Sequence, residues 1–597
     1  MKKESRKIKT LLYFLKGCKK YFVLAVLFVW LQVLFDLINP KIIGYTVDFI
    51  IGDESQIPGL LMGLIQAMGG REYVLGHLYL VALIVVLVGL GAATARYLFK
   101  LFDSMGAERL AYRMRSLLYE HIVHLPFSWH DSNSTGDIIQ RCTSDVDVIK
   151  SFISDQLVNL MRMVVMIIFA LYFMFQIHIL LALAAFIFVP IVILYSLLFH
   201  GRIEESFLKV DTEEGQLSAI AQENLSGVRV VRAFGREQYE RARFEAKNET
   251  YIGHWVDMMK ILSKFWTITD FVRGIDNITV MALGAYFTVQ GQLTPGQYVT
   301  FIAYNAMIVQ PIVELGRVIS EMSKSGVSVD RLSYILDSKI EEDSADAVDF
   351  PGNGDIVFEG VSFAYEGAQV LSDVNIRIGK GQTVGILGPT GSGKSTLMLL
   401  LDNLYQLSEG TITINGVDVT KIKRSQLRQH IGMVLQEPYL FSRSLQDNIT
   451  IAAEEASSQD MQGAIATASL TSAIGRFKEG LNTYVGERGV TLSGGQKQRT
   501  AIAQMLIRQP DIMIFDDSLS AVDAATDASI RAALAGAKGD ATVIIISHRI
   551  TTIMKADNIF VLENGQVAES GNHDTLMAQG GIYRTIFDMQ AAASEEE

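Results

Sequence analysis

The stretch Gly388-Pro389-Thr390-Gly391-Ser392-Gly393-Lys394-Ser395-Thr396 has the form G-x-x-x-x-G-K-[ST]. It follows an apolar run, Thr383 to Leu387, that reads as a short strand, and it opens a helix near Lys394. Phosphate binding needs that order. Glycines let successive backbone N–H groups turn inward around phosphate oxygens. The helix N-terminus adds the positive end of its dipole. Lys394 supplies a full charge to the outer phosphates, and Ser395 offers a hydroxyl to Mg2+. The bland alternative is a glycine-rich turn with no ligand; the complete match in a strand-to-helix context favours the phosphate cradle.

Outward from this loop the pattern is that of a parallel α/β sheet. Alternating residues at Asp355–Glu359 and Thr411–Val419 predict strands, and Asn415-Gly416 is a hairpin signal. Downstream, strands alternate with helices. The run Asp511–Phe515 ends at Asp516-Asp517, and Thr542–Ser547 ends at His548. Ligands in such sheets lie beyond the carboxyl ends of the strands, so these groups are expected to converge on one nucleotide. An acid after an apolar strand suits the Mg2+-holding role, which makes Asp516 a metal candidate. Leu492-Ser493-Gly494-Gly495-Gln496, followed by Lys497-Gln498-Arg499 and an apolar helix, is a second phosphate-directed turn. An N-cap alone would explain Ser493 but not the whole pentapeptide.

The first half has a different composition. The chain of 597 residues is 49% hydrophobic and 19% charged, with a formal net charge of −12 that argues against a nucleic-acid partner. Its two cysteines, Cys18 and Cys142, lie in no metal-type spacing and imply no disulfide framework. Apolar runs at about 21–38, 78–98, 157–175, 179–199, 268–289 and 298–318 are each near the ~20 residues that cross a bilayer as a helix. Gln176 and His178 mark a turn between the third and fourth, and Gly291–Gly296 breaks the last pair. Lys2, Lys3, Arg6, Lys7, Lys9, Lys16, Lys19 and Lys20 place the N-terminus in the cytoplasm by the positive-inside rule, and six spans return the C-terminus to that side. The segment Ile57–Gly70 is too short to span and reads as an interfacial part of an external loop. The long loops Lys100–Ile153 and Gly201–Lys264 keep apolar residues at helical spacing, so the membrane helices are expected to continue into the cytoplasm. Arg96, Arg162, Asp270, Arg273 and Asp276 fall within the spans. They either face one another or a wet cavity, or lie solvated near a membrane boundary. Asp270 and Arg273, at i,i+3, share a face and could pair.

The order P-loop, Leu492-Ser-Gly-Gly-Gln, Asp516, His548 resembles the cassette of an ATP-binding cassette (ABC) transporter, and the membrane half resembles the six-helix type I exporter domain. Leu125–Arg141 is similar to that family's first coupling segment and Glu223–Phe234 to the second. The resemblance implies a multidomain chain: an all-α six-helix transmembrane domain followed by an α/β P-loop ABC nucleotide-binding domain. The expected boundaries are a cytoplasmic segment 1–20, the transmembrane domain 21–322, a linker 323–354, the nucleotide-binding domain 355–587 and an acidic tail 588–597.

The cofactors implied are ATP and Mg2+. By the same resemblance Tyr365 stacks on adenine, Gly388 through Thr396 cradle phosphate, and Ser395, Gln436 and Asp516 hold or sense Mg2+. Ser493, Gly494, Gly495 and Gln496 face the nucleotide of a second subunit, Ser520–Asp523 crosses the dimer interface, Val485–Gly489 contacts the partner's coupling helix, and His548 lies near the γ-phosphate. The family usually has Glu after the strand-end Asp, whereas this chain has Asp517. Its carboxylate would fall short of the attacking water by ~1–1.5 Å at unchanged backbone. That departure is similar to one half of a heterodimer with unequal sites, the pairing favoured here. A homodimer using Asp517, or an ATP-gated regulatory or channel-like protein, is the alternative. The implied partners are a second half-transporter, the lipid bilayer and a lipophilic or amphipathic cargo (drug, lipid or peptide). The implied location is a bacterial-type cytoplasmic membrane.

Overall fold

A computed structural model describes residues 9–52, 63, 65–365, 367–453, 456–518, 523–537 and 539–595. The chain divides into two compact units, Met1–His124 with Asn133–Lys339, and Leu125–Ser132 with Ile340–Glu597.

The first unit is helical. Its long helices are α1 (Lys19–Tyr45), α2 (Tyr79–Val123), α3 (Val158–Ile177), α4 (Phe188–Ser226), α5 (Glu237–Val289) and α6 (Pro295–Asp337). Among the described residues four continuous helical stretches, Lys19–Ile51, Tyr79–Val123, Thr135–Ile177 and Ile179–Ser226, are long and apolar enough to cross a membrane, against the six expected. α5 has the length, but Asp270, Arg273 and Asp276 interrupt its apolar part. α2 has 45 residues, ~68 Å at 1.5 Å each, about twice the hydrocarbon thickness. The loops 100–153 and 201–264 are accordingly almost wholly helical. The turn between the third and fourth stretches is His178, an N-cap whose Nδ1 accepts the Leu181 N–H at 3.2 Å. α6 starts on a capping box at Thr294 with Gln297, and Asp48 accepts the Gly296 N–H at 2.5 Å as well as the Thr294 hydroxyl. The Tyr304 hydroxyl donates to the Leu37 carbonyl at 2.8 Å, binding α6 to α1.

Asp270 and Arg273 are exposed and form no ion pair among the described residues; the buried carboxylate is Asp276, one turn on, which faces α6 and accepts from Asn305 Nδ2 at 2.8 Å. Sharing a helix face put Asp270 and Arg273 on the outside together, while Asp276 met its partner on the neighbouring helix. Half of the expected interfacial segment Ile57–Gly70, residues 57–62 and 64, lies outside the described residues.

The second unit holds two main sheets. β1 (Ile356–Tyr365), β2 (Ala368–Ile378), β4 (Glu409–Ile414) and β5 (Val417–Asp418) form an antiparallel sheet in the order β2-β1-β4-β5. Asn415 and Gly416, at φ 50° and 76°, make the tight β4–β5 hairpin, the positive-φ pair that such a turn demands. The other sheet contains β3 (Thr383–Leu387), β6 (Ile431–Val434), β7 (Ile512–Asp516), β8 (Thr542–Ile546), β9 (Asn558–Glu563) and β10 (Gln566–Gly571). Its order is β10-β9-β3-β8-β7-β6, parallel except for the antiparallel β9–β10 edge. β7 and β8 are buried at every residue. Strands covered on both faces read as unbroken apolar runs, which is why the sequence exposed them. The helix α7 (Lys394–Leu401) follows β3, and α8 (Gly494–Leu506) leads toward β7.

Candidate nucleotide site

The loop Gly388–Gly393 joins β3 to α7. A Cβ on Gly388 would stand 2.3 Å from the Leu562 carbonyl oxygen, and one on Gly393 (φ 92°) would stand 2.5 Å from Leu371, so close packing as well as backbone angle requires glycine there. Gly393 is the N-cap of α7 and has no side chain to occupy the first N–H groups. Those donors are left to an anion. The Lys394 ammonium donates to the carbonyls of Gly388 at 2.9 Å and Pro389 at 2.7 Å, and lies 3.4 Å from Ser392 Oγ. The loop thus holds its own cation over the cradle. Burial lowers the Lys394 pKa, and Asp516 and Asp517 act in the opposite sense.

Parallel pairing of β7 and β8 with β3 brings their carboxyl ends to this loop. One cavity of about 350 Å³ is lined by Tyr365, Gly388, Thr390, Gly391, Gly393, Lys394, Ser395, Thr396, Gln436, Asp516, Asp517 and His548. Asp516 is buried, which raises its pKa, while a hydrogen bond from Ser395 lowers it. Asp517 sits at φ 43°, its N–H donates to the Ile546 carbonyl at 3.0 Å, and both its carboxylate oxygens lie 3.1 Å from His548 Nδ1. The Tyr365 hydroxyl donates to Thr396 Oγ1 at 3.4 Å.

Among the described residues no group of three or more His, Cys, Asp or Glu side chains could hold a metal. Ser395 and Asp516 are nevertheless two hard oxygen donors side by side, with Gln436 on the same cavity. Such a pair fits Mg2+, which takes one or two protein oxygens and fills its octahedron with water and phosphate.

Ser493, Gly494, Gly495 and Gln496 do not line this cavity. They start α8, where the Ser493 N–H donates to Gln496 Oε1 at 2.9 Å. Ser520, Ala521 and Val522 lie outside the described residues; Asp523 caps the next helix through the Thr526 N–H at 2.9 Å.

Two residues escaped the sequence reading. Gln498 Nε2 donates to the Gln436 carbonyl at 2.7 Å and so fixes the Gln436 loop to α8. Tyr405, just beyond α7, packs edge-on against Tyr365 (centroids 5.2 Å apart) and Phe127 (5.5 Å), and its hydroxyl donates to Asp131 at 3.2 Å. Its one local signal is an aromatic after the P-loop helix.

Residues 22–312 match the ABC transporter transmembrane region and residues 371–520 the ABC transporter domain. An uncharacterised ABC transporter ATP-binding protein of Bacillus subtilis (strain 168), YknU, is 33% identical over 96% of this chain and 95% of its own length. YheI of the same organism, named "Probable multidrug resistance ABC transporter ATP-binding/permease protein", is 32% identical over 99% and 98%. An ATP-dependent lipid A-core flippase of Syntrophus aciditrophicus (strain SB) is 30% identical over 85% of each chain. The fold is similar to that of a bacterial Atm1-family ABC exporter with ATP bound, at a TM-score of 0.79 and 26% identity over 96% of this chain and 98% of that one. With a transmembrane region ahead of an ATP-binding domain, and relatives matched over nearly their whole length, this chain belongs to the ABC transporter family and is an ABC exporter.

Proposed function

We propose that the chain is one half of a heterodimeric, ATP-driven exporter whose own P-loop site binds Mg-ATP firmly and hydrolyses it slowly. In this reading Tyr365 stacks on adenine and Gly388–Thr396 hold the phosphates. Ser395, Asp516 and Gln436 would hold Mg2+, which when bound neutralises charge on the transferred phosphoryl group. His548 faces the γ-phosphate. Ser493–Gln496 close over the nucleotide of the partner's P-loop. Closure of the two ATP-binding domains draws the segments Trp129–Thr135 and Gly227–Arg236 together and switches the helices from inward-facing to outward-facing. The multidrug and lipid-flippase names of two relatives support a lipophilic or amphipathic cargo.

The observation that carries the unequal-site reading is Asp517. A water-activating base must come within ~2.6–3.2 Å of its target. Asp517 is one methylene shorter than the Glu usual in the family, and its carboxylate is engaged by His548 at 3.1 Å. A displacement near 1 Å can cost ~100-fold in rate. Purified alone, the chain is expected to bind ATP but turn it over slowly; in complex with a companion whose own catalytic Glu is replaced by Gln, Asp517→Glu is expected to raise turnover by about 10–100-fold. No gain on Asp517→Glu, or brisk turnover with cargo movement by the unpartnered wild type, would replace this reading with a homodimer that uses Asp517 directly.

A further inference from the structure

In the second unit β8 turns Val543 and Ile545 to one face, the opposite face from Ile546, which lines the nucleotide cavity. Beside that first face lie two helices, α9 (Ala524–Ala537) and α10 (Ile550–Ile553). Between them and the sheet is a second cavity of about 320 Å³ that shares no residue with the nucleotide cavity. Its width follows from the residues around it. Ala528 and Ala532, at i,i+4, put only methyl groups on the cavity side of α9, and Ala556 does the same just beyond α10. Arg531 ties the two helices together: its Nη2 donates to Asp527 on α9 at 2.7 Å, and its Nη1 to the Thr551 carbonyl on α10 at 3.2 Å.

The floor is apolar. Leu534, Val543, Ile545 and Ala556 are each at most 8% exposed. The charged residues on the wall, Arg531 and Lys555, are both cations. Asp527 balances Arg531. Lys555 is exposed and has no hydrogen-bond or ion-pair partner among the described residues. The neighbouring Asp557 is engaged by the Thr383 N–H at 2.8 Å and does not line the cavity. At ~30 Å³ for a group the size of a water, the space takes about ten such groups, a small organic molecule rather than an ion. An apolar pocket with a few convergent polar groups is the usual form of a small-molecule site.

We propose that this cavity binds a small amphipathic anion, a carboxylate on an alkyl chain of about eight carbons. The carboxylate sits at Lys555 and the chain lies on Leu534, Val543 and Ile545. The site belongs to the ATP-binding domain and stands whether the chain pairs with itself or with another.

The test is equilibrium binding of radiolabelled octanoate, octanol and octylamine to the full chain in lipid nanodiscs. A non-hydrolysable ATP analogue with Mg2+ is present throughout, so the cationic nucleotide cavity is already filled. Uptake into lipid and among the membrane helices is common to every variant, so differences between variants report this cavity. The wild type is expected to bind octanoate about fivefold tighter than octanol, the effect of one partly exposed charge pair, and octylamine more weakly than either. Lys555→Gln is expected to bring the octanoate-to-octanol ratio to about one and leave octanol unchanged. Ala532→Phe fills the space and is expected to weaken octanoate and octanol alike by about tenfold or more. Both substitutions fall at exposed positions, and unchanged affinity for the ATP analogue certifies the fold of each variant. Octanoate bound no tighter than octylamine by the wild type, an octanoate preference that survives Lys555→Gln, or undiminished binding in Ala532→Phe would each overturn the assignment.

Discussion

Asp402 ends the P-loop helix on a carboxylate that burial pushes up to about 7, against the pull of Arg428 and Arg508 and with a further push from Glu341. Its Oδ1 is buried with no hydrogen-bond partner among the described residues. An Asp whose folded pKa is raised binds more protons folded than unfolded between about pH 4 and pH 7, so its contribution to stability falls as pH rises through that window. Asp402→Asn removes the titration. Its thermal midpoint, relative to wild type, is expected to climb from pH 4 to pH 7 and level off above. A difference independent of pH would show that burial does not hold the proton. Nothing in Leu401-Asp402-Asn403 announces this, because the arginines and the glutamate that surround Asp402 come from distant parts of the chain. The P-loop residues were legible for the opposite reason. Their geometry is local, set by glycines and a helix start inside nine residues, and Lys394 needs only its own loop to be placed.

At the scale of elements, what the sequence showed was whatever has a period or a break: the apolar strands β3, β7 and β8, the Asn415-Gly416 hairpin, the turn at His178 and the break at Gly291–Gly296. It did not show which element touches which. Tyr405 and Asp131 are 274 residues apart, yet one hydrogen bond and an edge-on ring contact join the end of α7 to the short helix Phe127–Ser132. The same Tyr405 ring leans on Tyr365, which lines the nucleotide cavity. This segment resembles a coupling element, so the contact predicts a division of effects. Tyr405→Phe keeps the ring contacts and loses the hydroxyl's bonds to Asp131 and Tyr365. It is expected to leave ATP affinity within about twofold and to lower cargo-stimulated ATPase by about three- to tenfold, the effect of one net hydrogen bond of ~0.5–1.5 kcal/mol. Tyr405→Ala empties a buried aromatic site and is expected to cost ~3–5 kcal/mol of stability in that unit. Equal stimulation in Tyr405→Phe and wild type would confine Tyr405 to packing.

For the whole molecule the decisive geometry is a separation. The turn Ser493–Gln496 starts α8 and stays out of the cavity that holds Lys394, Asp516 and His548. A nucleotide site that uses both sets of residues is therefore completed by a second chain, and self-pairing can be tested by complementation. Lys394→Ala removes the cation from one face of each composite site, and Ser493→Arg blocks the other. If the chain pairs with itself, mixing the two inactive variants leaves half of the dimers mixed, each with one intact site of two. Activity should then return to about a quarter of wild type. If it pairs with a different chain, the mixture stays inactive, and activity appears only when a companion with its own P-loop and catalytic Glu is added. In that complex Ser493→Arg should abolish hydrolysis, since this chain's turn closes the competent site, whereas Lys394→Ala should remove only the slow site and spare most of the turnover. Steady-state phosphate release from the four combinations separates the two assemblies. The heterodimer reading fails if the two single-variant complexes lose turnover equally.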